Sequence, residues 1–239
     1  MSYDAGNRYA SPAARADVAV DEGLRNYMLR VYNYMAGGLT LTGLVAWLVS
    51  TRPELVQTIY GTPLMWLVIF APLGFVLFLS FRINRMSLAA AQATFWLYAG
   101  VMGLSLAWIF LAYTGVSVAR VFFISAGAFA GLSLYGYTTK RDLTGIGSFL
   151  FMGLIGIIIA SVVNIFIGSA GLQFAISIIG VIVFTGLTAY DTQRIKELYL
   201  DSDGNEIAGK KSIMGALRLY LDFINLFLFL LQFFGHQRR

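Results

Sequence analysis

The chain has 239 residues, of which 58% are hydrophobic and only 12% are charged, and its mean hydropathy is +0.73. Soluble domains carry about 25% charged residues, so this composition indicates an integral membrane protein. The chain has no cysteine, and its one histidine, His236, lies in the C-terminal tail. These counts argue against disulfides, histidine-built metal sites and Ser-His catalysis, and we expect neither enzyme activity nor a cofactor.

Residues 1–26 are polar and rich in alanine and serine, and they lack the apolar core of a signal peptide. We predict a cytoplasmic tail over 1–26 and a single membrane domain over 27–239. Seven apolar runs follow, each long enough for a membrane-spanning helix, and their continuity favours helices over barrel strands. The runs are 31–50, 64–81, 89–113, 118–137, 145–167, 171–190 and 213–234.

Lysine and arginine predict the orientation, because they are retained on the cytoplasmic side of a membrane. They cluster before the first run and after the second, fourth and sixth, whereas the opposite connections hold Arg52 and Arg120. The N-terminus is therefore expected in the cytoplasm and, with seven spans, the C-terminus outside. The basic tail HQRR argues mildly against that, and a re-entrant last segment would restore an even count. The net charge of +5 then reflects mainly the basic residues that hold the cytoplasmic loops in place. No basic stretch interleaved with aromatic residues suggests a nucleic-acid partner.

Two acidic residues, Asp191 and Asp222, belong to predicted spans, while the other ten lie in the tail and connections. An aspartate at the centre of a membrane helix costs about 2.5–3.5 kcal/mol, so it needs compensation. Around the last helix, one polar stripe falls within an arc of roughly 80°. Such a stripe should face protein or a wet cavity. It consists of Arg218, Asp222, Asn225 and Gln232.

Two interpretations of Asp222 stay open. Arg218 and Asp222 are spaced i, i+4 and would neutralise each other as a purely structural pair. Alternatively, Asp222 meets Asp191, near Thr188 on the sixth span; two close carboxylates share a proton or bind a cation, and oxygen ligands suit Ca²⁺. The two meet only if the last helix begins in the headgroup layer. Arg82 is either a counter-ion of the two aspartates or an ordinary interfacial anchor.

Glycines recur within the predicted spans, and no Lys-Ser or Lys-Thr follows them as a phosphate-binding loop would require. Their spacing instead predicts close helix packing. They include the Gly127-x-x-x-Gly131 pair together with Gly100, Gly103, Gly153 and Gly156.

Three segments resemble the Bax inhibitor-1 family of membrane proteins: SLYGYTTKRDLTG at 133–145, FTGLTAYDTQRIK at 184–196 and LYLDFINLFLFLLQFFG at 219–235. The resemblance extends across all seven spans. It implies an all-α fold with two three-helix layers around a central C-terminal helix. It also implies a pH-sensitive calcium leak channel of the bacterial inner membrane, gated by an aspartate pair that matches Asp191 and Asp222. Arg82 aligns with an arginine that latches the second span in some members.

Two other classes of protein share parts of this pattern. An intramembrane aspartyl protease also places aspartates on adjacent spans, one of them in a Tyr-Asp pair like Tyr190-Asp191. However, Asp222 follows Leu-Tyr-Leu rather than the Gly-x-Gly such enzymes share, and their Pro-Ala-Leu is missing. The second class is an interaction protein that restrains a membrane-bound quality-control protease and transports nothing. The expected partners are therefore the lipid bilayer and Ca²⁺, or a membrane protease.

Overall fold

The computed structural model describes residues 12–238, with side chains from residue 22 onward, and these residues form helices and no strand. The all-α prediction is confirmed. Residues 1–11 of the predicted tail lie outside the described range, and from Pro12 the chain is helical. The helices are α1 (Pro12–Ser50), α2 (Pro53–Tyr60), α3 (Leu64–Arg82), α4 (Leu88–Leu106), α5 (Trp108–Ala112), α6 (Gly115–Thr138), α7 (Thr144–Ile167), α8 (Ala170–Glu197) and α9 (Asn205–Phe234).

Six helical segments are long and apolar enough to cross a membrane, and they become seven if α1 and α2 form one span bent by 100°. The predicted runs at 64–81, 118–137 and 145–167 match α3, α6 and α7 within three residues. The run at 89–113 is broken at Ala107 into α4 and α5. The run at 31–50 lies within α1, where glycines and threonines between residues 37 and 43 dilute its apolar character.

Short polar side chains begin several helices. The hydroxyls of Ser87, Thr114 and Ser169 accept hydrogen bonds of 3.2–3.3 Å from backbone N–H groups three residues later, at the starts of α4, α6 and α8. Such caps satisfy amide groups that have no partner inside the helix. Helix α7 ends at Gly168, whose φ of 66° is the left-handed conformation that glycine adopts without strain. Local sequence thus determines these boundaries.

Helix α9 is the most enclosed part of the bundle. It contacts α1 and α4, which with α3 form one packed group, and also α6 and α8, which pack with α7 in another. In its apolar stretch 67% of residues are buried inside the protein, against 11% in α7. A helix that is apolar nearly all round is expected in such an interior position. The arrangement as two three-helix layers stays a prediction.

The N-terminal half of α1 and the C-terminal segment lie at opposite ends of the bundle. At one end, Tyr27 of α1 packs on Tyr199 of the α8–α9 connection, with ring centroids 5.6 Å apart. At the other end, the segment after α9 folds back onto the α5–α6 turn. The Thr114 N–H donates to the His236 carbonyl at 3.1 Å, and the Arg238 N–H donates to the Ala112 carbonyl at 2.9 Å. The last helix therefore traverses the full length of the bundle.

The glycine prediction is wrong for several positions. A Cβ at Gly127 or Gly131 would meet nothing within 4 Å, because both residues face outward; Gly100 and Gly156 are equally open. The prediction is confirmed at Gly103, where a Cβ would lie 2.7 Å from the Thr42 carbonyl oxygen, and at Gly153, where it would lie 2.9 Å from Val183. A still closer approach, at a position that the spacing did not indicate, occurs at Gly136, where a Cβ would overlap the carbonyl oxygen of Ala189. Helices α6 and α8 therefore touch through their backbones one and a half turns beyond the motif that the spacing favoured.

We expect Gly136→Ala to lower the stability of the purified protein in detergent by about 1–3 kcal/mol, because a backbone cannot move aside as a flexible side chain can. The matched control is Gly131→Ala on the same helix, which should be neutral or slightly stabilising because alanine favours helix. Thermal unfolding followed by circular dichroism measures both. Equal melting temperatures for the two variants would contradict the α6–α8 contact.

Candidate functional site

Helices α8 and α9 run antiparallel in a register that brings Asp191 opposite Asp222. The register is visible from one end of the pair to the other. Contacts join Ser177 to Gln232 by a 2.9 Å hydrogen bond, Phe184 to Phe229 by ring centroids 5.8 Å apart, and Ile195 to the backbone of Gly215. Asp191 and Asp222 therefore face each other between two sets of packed side chains.

The early start of α9 removes the difference in depth between the two aspartates. Helix α9 begins at Asn205, eight residues before the predicted boundary, and its first two turns run beside the α8–α9 connection. There the Lys211 ammonium donates to the Leu198 carbonyl at 2.9 Å and pairs with Asp203. Asp222 lies about 25 Å from the start of α9, and Asp191 lies about 9 Å from the end of α8. The two residues are nevertheless level, because the first turns of α9 extend beyond the end of α8.

The carboxyl groups of Asp191 and Asp222 lie within hydrogen-bonding range of each other. Asp222 is 5% exposed, and its buried Oδ2 receives no N–H or hydroxyl hydrogen bond from the described residues. The Asp191 side chain is 15% exposed. Two carboxylates this close, with water largely excluded, cannot both stay charged without a compensating proton or cation. The pair therefore requires a shared proton or a nearby positive charge.

Arg218 pairs across the helix interface and not along its own helix. Its Nη1 lies 3.4 Å from Asp191 Oδ1 on α8, and no ion pair with Asp222 is found among residues 22–238. The self-contained i, i+4 pair is therefore not what the structure shows. The Arg218 side chain is 53% exposed, and an ion pair this open to solvent is weak. Arg218 can leave Asp191 at little cost.

A cavity of about 770 Å³ opens beside the pair between α7, α8 and α9. Its apolar wall comes from α7 and from the leucines and phenylalanines of α8 and α9. Both aspartates are among its polar lining residues, so a molecule in the cavity would lie beside the carboxyl pair. These polar residues are Ser148, Tyr190, Asp191, Arg218, Asp222 and Asn225.

Of the predicted residues Asn225, Gln232 and Thr188, only Asn225 borders the cavity. Asn225 lines this cavity, although its amide donates to the Leu221 carbonyl of its own helix at 2.8 Å. Gln232 lies farther along α9, where its Oε1 accepts from Ser177 and from Gln173. Thr188 is fully buried, and its hydroxyl donates to the Phe184 carbonyl at 2.8 Å. Neither Gln232 nor Thr188 contacts the aspartates.

Arg82 stands apart from the pair. It is exposed at the end of α3, outside the cavity lining. The charged groups that act on the two carboxyls are each other, Arg218 and Arg194. In this conformation Arg82 is positioned as an interfacial anchor, and a latch role would require α3 to move.

Sequence reasoning missed Gln193, two residues after Asp191. It is buried; its Oε1 accepts from the Leu143 N–H at 2.9 Å, and its Nε2 donates to the Arg141 carbonyl at 2.8 Å. Gln193 thereby attaches the α6–α7 connection to α8 just beyond the aspartate. The sequence offered no signal for this role, because Gln193 lies beyond the predicted run at 171–190 and its partners belong to another connection.

Tyr190 is a second missed residue. It lines the cavity beside Asp191, and a Cβ at Gly147 of α7 would overlap its ring. Glycine at 147 therefore allows α7 to lie close to the tyrosine, which holds the wall of the cavity beside the carboxyl pair.

The donor set fits a hard cation only loosely. The described residues contain no cluster of three or more His, Cys, Asp or Glu side chains. Ca²⁺ takes six to eight oxygen ligands, whereas two carboxylates supply at most about four. Water and the side-chain oxygens of Ser148 and Asn225 would have to complete the shell. Such a ligand set would hold a cation only weakly.

We expect Gln193→Leu to destabilise the protein by about 1–3 kcal/mol, because it leaves the buried Leu143 N–H without its acceptor. Protection of the Leu143 amide against hydrogen exchange should fall as well. The control is Gln57→Leu at an exposed position of α2. Unchanged protection at Leu143 would show that Gln193 does not hold this connection.

A bundle of membrane-spanning helices with a carboxyl pair buried between its last two members defines a multi-span membrane protein with an intramembrane acidic site. The family model described as "Inhibitor of apoptosis-promoting Bax1" matches residues 24–239, and the chain belongs to the Bax inhibitor family. The resemblance seen in the sequence is confirmed.

Three relatives are similar over almost their whole length. An uncharacterized protein of Rickettsia prowazekii is 52% identical, covering 91% of this chain and 92% of the relative. A protein of Caulobacter vibrioides is 47% identical, with coverage of 99% and 98%. The inner membrane protein YbhL of Escherichia coli K12 is 45% identical, with coverage of 95% and 98%. The chain thus aligns with whole relatives and not with one part of them.

Proposed function

We propose that this protein is a non-enzymatic, pH-sensitive calcium leak of the bacterial inner membrane, gated by Asp191 and Asp222. The observation that supports the proposal best is the contact between the two carboxyl groups, with the buried Oδ2 of Asp222 lacking a donor among the described residues. The location rests on YbhL, which is named an inner membrane protein.

The mechanism follows from charge balance. With one proton shared, the pair carries a single charge, and Arg218 is near enough to offset it. When the proton leaves, the second charge needs a cation, and the adjoining cavity gives Ca²⁺ access to it. Protons and Ca²⁺ therefore compete for the same oxygens. Because the ligand set is incomplete, Ca²⁺ stays only briefly, which suits passage better than storage.

The proposed topology has seven spans, with the N-terminus in the cytoplasm and the C-terminus outside. Lys140 and Arg141, and the lysines 210 and 211, lie at the end of the bundle where α1 begins. This is the distribution that retains a membrane face in the cytoplasm. The end at which α5 and α9 finish would then face outward.

We expect Asp191→Asn and Asp222→Asn each to abolish the pH dependence of Ca²⁺ release from liposomes that contain the purified protein, scanned from pH 5 to 8. An amide neither binds the shared proton nor carries the charge that holds a cation. Glu54→Gln, an exposed carboxylate on α2, serves as the control and should keep the wild-type profile.

The same experiment separates the leak from the alternative function. If both aspartate variants release Ca²⁺ as the wild type does, the leak proposal fails. The interaction protein that restrains a membrane protease then becomes the better account. A wild-type protein that releases no Ca²⁺ at any pH leads to the same conclusion.

We expect Arg218→Gln to move the midpoint of the pH profile upward. Arg218 stabilises the ionised pair, so without it the shared proton is retained to higher pH. The shift should shrink in high salt if the exposed guanidinium acts through solvent. Arg120→Gln, at an exposed position on α6 far from the pair, should leave the midpoint unchanged. A downward shift would contradict the role given to Arg218.

A further inference from the structure

A second groove lies on the side of α9 away from the main cavity. Helices α1 and α6 both pack against α9 but not along each other. The seam between them holds cavities of about 710 and 410 Å³ that share Leu39, Thr40, Phe122 and Phe223, so they form one groove. We call it the α1–α6 groove. Its floor is the face of α9 that carries Phe223.

The length of the α1–α6 groove matches the membrane. Along α1 its lining extends from Arg25 to Ala46, which is about 31 Å of helix, close to the hydrocarbon thickness of about 30 Å. Rim residues such as Leu29 and Leu134 are 47% and 63% exposed. The groove is therefore open sideways, toward the acyl chains of the surrounding lipid.

The chemistry of the lining favours an apolar occupant. Apart from Arg25 and Tyr137 at one end, the polar side chains in the groove have hydrogen-bond partners within the protein. The Tyr32 hydroxyl lies 2.7 Å from Ser133 Oγ, which lies 2.9 Å from Thr192 Oγ1, and the Thr40 hydroxyl donates to the Ala36 carbonyl. Water or a polar solute would find few free hydrogen-bonding groups here, whereas a hydrocarbon chain would bury apolar surface.

One end of the groove is positively charged. Arg25 of α1 lines this end of the groove, and Tyr137 lines it on the facing helix. The Lys196 ammonium lies behind Tyr137, donating to its carbonyl at 2.8 Å and lying 5.4 Å from its ring centroid. An acyl chain in the groove would place a lipid headgroup beside these cations, which favour a negative charge.

We propose that the α1–α6 groove is a binding site for one anionic glycerophospholipid, with an acyl chain along Phe223 and the headgroup phosphate at Arg25. The site is separate from the carboxyl pair, because Asp222 and Phe223 project from α9 about 100° apart. Anionic lipid is thus expected to bind whether or not the protein conducts Ca²⁺.

The experiment uses the full chain in nanodiscs that contain phosphatidylglycerol with a photoactivatable group on one acyl chain. After illumination, digestion and mass spectrometry locate the labelled peptides. We expect label to concentrate on residues 28–40 of α1 and 122–137 of α6. Ala130→Trp places a bulky ring inside the groove and should remove most of that label. Ala128→Trp lies on an exposed part of α6 outside the lining and should preserve it.

A second comparison tests the headgroup. Arg25→Gln should weaken labelling by phosphatidylglycerol about fivefold, in line with one cation near an anionic headgroup, and should leave labelling by a phosphatidylcholine probe unchanged. Label spread evenly over exposed α3 and α7 would mean ordinary boundary lipid and would overturn the proposal. Crosslinks between two copies of the chain through the groove would also overturn it, since the occupant would then be protein.

Discussion

Two carboxyl groups held out of water between α8 and α9 impose the main constraint on this protein. Their separation depends on the antiparallel register of the two helices, which contacts at Ile195 and Gly215 maintain. Around them, Gln193 ties the neighbouring connection to α8. Since an unbalanced charge here is costly, a change of protonation must be balanced by another charge nearby, and the proposed ion passage rests on that requirement.

Helix α9 serves two different environments at once. Its Asp222 side borders a polar cavity shared with α7 and α8, and its Phe223 side borders an apolar groove between α1 and α6. Adjacent residues on one helix point about 100° apart, so the two compartments need only one helix between them. The last helix is also the most buried of the six apolar segments, with 67% of its apolar stretch inside the protein. A ligand bound in either compartment would contact α9.

Sequence patterns pointed to the two aspartates and missed the residues around them. Asp222 stood out because a charge inside an apolar run requires a reason, and three members of its stripe, Arg218, Asp222 and Asn225, border a cavity in the structure. The sequence did not identify the partner of Arg218. The i, i+4 spacing suggests Asp222, whereas in the structure Arg218 pairs with Asp191 on the neighbouring helix. Gln193 escaped notice for the same reason: its two partners belong to a connection about 50 residues away in the chain.

By itself, the sequence determined that the chain is a helical membrane protein, where several of its helices begin and end, and which two acidic residues lie within or beside its apolar runs. Composition, apolar run length and capping residues act locally, so they can be read along the chain. The tertiary structure decided the depth of Asp222 relative to Asp191, the close approach at Gly136 in place of Gly131, and the open groove beside Phe223. Each of these depends on the register and separation of helices that are distant in sequence, which no local pattern specifies.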